Sequence, residues 1–166
     1  MSGPSWRAMT AGDLDGVHRL SLRVYPQFFE RRDVYADRLA LYPQGSLVLD
    51  SEGGIGGYAV GHPARLFAPP PLDTVLGRLT EGADALYVHD VALAPELRGL
   101  GLVEGGVHAL LALADRDRRP AMLVSVNGTP AFWQRFGFAP VDPARLGDKL
   151  APYGEGAIFM LRKAKV

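Results

Sequence analysis

The segment Leu86-Tyr87-Val88-His89-Asp90-Val91-Ala92-Leu93-Ala94-Pro95-Glu96-Leu97-Arg98-Gly99-Leu100-Gly101-Leu102-Val103 decides how the chain is read. From Ala85 to Ala94 it is largely apolar and closed by Pro95, the pattern of a strand. From Leu102 to about Arg116, residues Val103, Val107, Leu110, Leu111 and Ala114 recur at helical spacing. Between the two lies a glycine-rich turn. The first turn of a helix leaves backbone N–H groups without partners and carries partial positive charge. Gly99 and Gly101 let the chain turn sharply and let an anion come close to those groups. Arg98 adds a forked, permanently charged donor. The ligand expected here is a phosphate or pyrophosphate.

The glycines do not identify that ligand. Gly99, Gly101 and Gly105 also fit a loose dinucleotide-binding spacing, which requires an acid ending a second strand about 20 residues later. Asp115 and Asp117 instead lie in helix-like sequence. A coenzyme, a dinucleotide and a plain helix cap all remain open on the glycines alone.

Outward from this segment, Trp6 to Met9 reads as a short strand, and Thr10-Ala11-Gly12-Asp13 caps a helix carrying Leu14, Val17, Leu20 and Val24 inward. A second helix is expected from about Glu30 to Tyr42, with Val34, Leu39 and Tyr42 inward. Ser46 to Asp50 and Ile55 to Gly61 read as a hairpin joined by Ser51-Glu52-Gly53-Gly54. Arg65 to Asp84, with Ala68-Pro69-Pro70-Pro71, is an inserted loop with one short helix near Leu72 to Leu79, placed to act as a lid. Ala121 to Val126 is a buried strand, Thr129 to Arg135 a short helix stopped by Gly137, and Ala157 to Leu161 a closing strand.

The chain has 166 residues, enough for one well-buried core, so a single domain over 1–166 is expected. Eighteen basic and eighteen acidic residues cancel, which argues against a nucleic-acid partner. With no cysteine there is no disulfide, thiolate metal site or cysteine nucleophile. The four histidines are scattered without ligand spacing, so no metal site is expected. No apolar run approaches the roughly 20 residues of a membrane span, and Met-Ser-Gly-Pro-Ser-Trp-Arg lacks the apolar core of a secretory signal. A cytoplasmic protein with no membrane partner is expected. Exposed helices or the last strand offer contacts for a homodimer.

Two motifs taken together resemble the GNAT superfamily of acetyl-CoA-dependent N-acetyltransferases. The first is Leu86 to Gly101, a strand leading through a proline into Arg-x-x-Gly. The second is Asn127-Gly128-Thr129-Pro130-Ala131-Phe132-Trp133-Gln134-Arg135-Phe136-Gly137-Phe138, similar to the superfamily's aromatic-x-x-x-Gly-Phe motif. The resemblance implies an α+β fold: a mixed, mostly antiparallel twisted sheet of six to seven strands flanked by about four helices. Strands 4 and 5 would splay apart around the pantetheine arm. It places the coenzyme along the backbone of Val91, Ala92 and Leu93 and at Arg98, Gly99, Leu100, Gly101, Leu102 and Val103, with the acyl carbonyl at an N–H of the strand's bulge. Asn127, Trp133 and Arg135 are further candidates for the arm and its phosphates. Val103 stands where the motif usually has glycine or alanine, and Trp133 where many members have a tyrosine that protonates the departing thiolate. The acceptor implied is the amine of a small molecule.

An amine loses a proton as it attacks the thioester, so a base is needed. Alternation in the strand puts Tyr87, His89 and Val91 on one face until a bulge intervenes. Imidazole is the side chain suited to proton transfer near neutral pH, and His89 matches a strand position from which some GNAT enzymes offer a basic histidine; its other role is a hydrogen bond within the strand's surroundings. Tyr87 is a candidate wall of the acceptor pocket, and Tyr153 a candidate source of the phenol missing at position 133. A non-catalytic acyl-CoA-binding domain of the same fold is the alternative that Trp133 and Val103 leave open.

Overall fold

The structure is a computed structural model that describes residues 3–166. Strands β1 (Ser5–Ala8), β2 (Ser46–Ser51) and β3 (Gly54–Ala64) form an antiparallel meander, the last two joined by a two-residue turn at Glu52-Gly53. Strand β4 (Ala85–Leu93) continues it antiparallel to β3. Strand β5 (Ala121–Ser125) then pairs parallel with β4, and β7 (Ile158–Arg162) pairs antiparallel with β5 and with the short edge strand β6 (Ala139–Pro140). Among the described residues the order is β1-β2-β3-β4-β5-β7-β6, seven strands in one mixed sheet.

Helices α1 (Leu14–Val24) and α2 (Arg32–Leu41) cover one face. Helix α3 (Val103–Arg116) covers the other, and the aromatic side chains of α4 (Pro130–Gln134) pack against the same core. Leu86, Val88 and Val91 pack with Val107, Leu110 and Leu111 of α3, while Tyr58, Val60 and Ala92 pack with Leu14, Val17 and Leu20 of α1. Such clusters, rather than helix propensity, hold helices this short in place.

Two features of the sheet make the site. Strands β4 and β5 pair only at Leu86–Ala121 and Tyr87–Met122, so from Val88 onward they separate. In the β3–β4 ladder Val60 faces Asp90 and Gly61 faces Val88, which leaves His89 as the extra residue of a β-bulge. The extra residue corrects the simple alternation. Val88 and Val91 both lie on the α3 face, so Val91 is not on the face of Tyr87 and His89.

The insertion at 65–84 also differs from expectation. No helix forms at Leu72 to Leu79. Asp73 has φ 56°, and the N–H groups of Asp73, Leu76 and Gly77 donate to the carboxylates of Glu30 and Asp37 instead of to helical carbonyls. Arg38 donates to Thr74 C=O at 2.8 Å and Arg31 pairs with Asp73 at 3.0 Å. These contacts make the segment a fixed wall where a lid was expected. No helix among the described residues is long and apolar enough to cross a membrane.

Candidate active site

A cleft of about 790 Å³ runs between the separating strands. One end is the turn before α3. Gly99 and Gly101 have φ 81° and 72°, left-handed values that favour glycine, and a Cβ at either would meet nothing, so the requirement is conformational. No side chain caps the start of α3. Its first-turn N–H groups therefore stay open to an anion, with the exposed Arg98 beside them. Leu100 does not line the cleft; the residue is 68% exposed. Val103 lines the wall and also packs against the core around Val107, so its branched side chain is partly absorbed there.

Gly105, which completed the dinucleotide-like spacing, has a different reason to be glycine. Trp6 of β1 lies flat against α3, and a Cβ at Gly105 or at Gly106 would come within 2.6 Å of its ring. The indole N–H donates to Leu102 C=O at 2.7 Å. Trp6 thus fixes where the helix begins.

The middle of the cleft is the open edge of β4. Ala94 N–H donates to Gly56 C=O, so by antiparallel alternation Ala94 and Ala92 bond to β3 while Leu93 and Val91 direct their backbone groups into the gap. Ala92 lines the cleft but spends its own backbone groups on the ladder. Tyr25, a residue the sequence reading passed over, donates its hydroxyl to Val91 C=O at 2.6 Å. The opposite wall carries Val124, Asn127, Phe132 and Trp133. Asn127 has φ 57° at the end of β5, and Trp133 packs edge-on to Phe132 and Phe138. Arg135 reaches across the cleft to Glu104 at 2.6 Å, so the mouth is bridged by an exposed ion pair.

The far end is the bulge. The side chain of His89 is only 2% exposed although the residue as a whole is half-buried, which means the backbone at the bulge is what opens to the cleft. Its Nε2 stands 2.9 Å from Oε1 of the buried Glu30, close enough for an ion pair but not aligned as a hydrogen bond, and both ring nitrogens lack a hydrogen-bond partner. Burial alone would raise the pKa of Glu30, but His89, the Asp73 N–H and Arg38 together hold it below the ordinary carboxylate value. Asp90 behaves oppositely: burial pushes it up to about 6, against the pull of His89 and of the hydroxyls of Tyr58 and Tyr35, which donate to it at 2.6 and 3.0 Å. His62 lies behind the bulge in β3, buried beside Tyr87 and His89, and burial pushes it down to about 3.

Two tyrosines stand differently from expectation. Tyr87 is 1% exposed and does not line the cleft; its hydroxyl is spent on that of Tyr153, 3.1 Å away. Tyr153 does line the cleft, but it donates to Pro70 C=O at 2.5 Å, and burial pushes its pKa up to about 12. Its proton ties a loop down instead of waiting for a thiolate. Glu30, the acid beside His89, was also not singled out by sequence. It sits at a loop end with no motif around it, and only the fold brings it to β4.

Solved structures with this architecture are numerous. Ard1 from Thermoplasma volcanium superposes with a TM-score of 0.72 at 15% identity, covering 99% of this chain and 100% of that one. Naa50 from Arabidopsis thaliana, in complex with a bisubstrate analogue of CoA and a peptide, does so with a TM-score of 0.70 at 15% identity over 98% and 99%. This chain has the GNAT fold. The GNAT-like decarboxylase GphF, in complex with isobutyryl-CoA, also aligns, with a TM-score of 0.72 at 18% identity over 97% of this chain and 100% of that one. No family model matches the sequence, and no curated protein sequence matches it. At these identities the likeness is one of fold.

Proposed function

We propose that this GNAT domain transfers an acetyl or similar acyl group from its CoA thioester to the amine of an acceptor. The observation that carries the proposal is the separation of β4 from β5 between an uncapped helix start and a bulge with ionisable groups beneath it. The pyrophosphate of the substrate fits Gly99 to Val103 with Arg98. Its pantetheine amides fit the outward-facing backbone groups of Val91 and Leu93 as an added strand, sharing the Val91 carbonyl with the Tyr25 hydroxyl. The thioester carbonyl then falls at the bulge, where a backbone N–H favours the oxygen as it becomes negative. The amine nitrogen attacks the carbonyl carbon, an N–C bond forms and the C–S bond breaks. His89 takes the amine proton, directly or through one water, and Glu30 stabilises the imidazolium. The proton then passes to the sulfur, a role for which neither Trp133 nor the engaged Tyr153 offers a free hydroxyl.

That missing acid favours a second reading in which the thioester is kept and an acyl group loses carbon dioxide; GphF is named a GNAT-like decarboxylase. A single assay separates the readings. Acetyl-CoA with a panel of amines is expected to release free thiol at a rate above the no-enzyme control. Carbon dioxide from malonyl-CoA without thiol release would replace acyl transfer by decarboxylation, and tight CoA binding with neither product would leave only a binding domain.

A further inference from the structure

The two ends of the cleft carry opposite charge. At the α3 end Arg98 is the unpaired lining cation among the described residues, since Arg135 is paired with Glu104 at 2.6 Å, whereas Glu30, His89 and Asp90 line the bulge end. Neither arginine near the bulge lines the cleft: Arg31 pairs with Asp73 at 3.0 Å, and Arg38, which acts on Glu30 from behind the wall, is 0% exposed and pairs with Asp37 at 2.7 Å. Glu30 is 4% exposed in its side chain and still presents a carboxylate to the cleft, facing an imidazole whose two nitrogens have no hydrogen-bond partner. A buried carboxylate with hydrogen-bonding capacity to spare is a receptor for a cation. Phe28, two residues before Glu30, and Leu72, next to the Asp73 that bonds Glu30, add apolar wall at the same place.

The chain also restricts the size of what enters. The 65–84 wall is tied to the segment before β7: Tyr153 to Pro70 C=O at 2.5 Å, Lys149 to Phe67 C=O at 3.2 Å, and the Arg145 guanidinium over the Phe67 ring at 4.1 Å. An extended peptide needs an open channel for the residues that follow its first, and among these ties the one at Tyr153 stands in the cleft wall. A compact amine needs only the space at Glu30.

We propose that the acceptor is a small primary amine with an apolar body and no carboxylate, its ammonium received by Glu30 and its body held by Phe28 and Leu72. The proposal rests on the acyl-transfer reading for the order of events but concerns the ligand itself. An α-carboxylate would lie beside Glu30 and Asp90, where no lysine or arginine among the described residues lines the cleft to meet it, so like charge disfavours amino acids.

The test is calorimetric titration of the CoA-loaded protein with 2-phenylethylamine, L-phenylalanine and a tetrapeptide beginning with phenylalanine, with thiol release from acetyl-CoA measured in parallel. 2-Phenylethylamine should bind about 100-fold more tightly than either of the others, the equivalent of one unpaired charged group. Glu30→Gln should weaken its binding about 10-fold while leaving acetyl-CoA affinity unchanged. Equal or tighter binding of phenylalanine or of the peptide overturns the proposal, and this ratio is read on the wild-type protein, so it does not depend on the variant folding. Selective amine binding without thiol release would sustain the ligand class and remove acyl transfer.

Discussion

Replacing His89 by glutamine lowers the turnover number for acyl transfer by about 10²–10⁴-fold, the usual weight of a positioned base, and leaves acetyl-CoA affinity close to wild type. Glutamine fills much of the space of the imidazole but cannot take a proton at neutral pH. The affinity is spared because the coenzyme contacts assigned here are made by the α3 start and by backbone groups, none of which involves the His89 side chain. A change confined to turnover therefore points to proton transfer. Turnover within a factor of about two of wild type would remove His89 from the chemistry and leave it as a packing residue between Tyr35 and Tyr87. The unfolding midpoint measured on the same sample separates loss of the base from loss of the fold.

Arg38→Met is expected to cost about 3–5 kcal/mol of stability, the range for removing one partner of a buried ion pair. Arg38 is 0% exposed, and its Nη1 donates to both Asp37 and Thr74 C=O. Asp37 also receives the N–H groups of Leu76 and Gly77, so the pair anchors the whole 65–84 wall to α2. Methionine is apolar and of similar length, so the loss reports mainly the stranded carboxylate and the freed loop. The Asp37→Leu, Arg38→Met double variant should recover part of the loss, since the unpaired charge is gone, but not all of it, since the loop N–H groups remain unanswered. Urea unfolding at neutral pH measures both. A loss below about 1 kcal/mol for Arg38→Met would show that the guanidinium is solvated and that the wall is not held from α2.

The sequence made β4, the turn at Gly99 and Gly101 and helix α3 legible because each follows from local chemistry: an apolar run, a proline, glycines, then helical spacing. The β2–β3 hairpin was legible for the same reason. What escaped was set by partners distant in the chain. Glu30 meets His89 only because α1 and α2 pack across β4. Gly105 looked like part of a phosphate motif, yet its neighbour is Trp6 of the first strand. The bulge at His89 moved Val91 to the other face, which strict alternation could not foresee. Tyr153 is a candidate phenol by sequence because nothing near it in the chain shows that Pro70 C=O accepts its hydroxyl. Arg38 shares the inward face of α2 with Val34 and Tyr35, where an apolar side chain would be expected.

A crystal structure of the protein with acetyl-CoA tests the central claim most directly. The account predicts the pyrophosphate at the N–H groups of Gly99 to Val103, pantetheine amides bonded to the backbone of Val91 and Leu93, and the thioester oxygen within hydrogen-bonding distance of an N–H at the His89 bulge. Coenzyme density lying outside the gap between β4 and β5, or a thioester more than about 5 Å from the bulge, would contradict it.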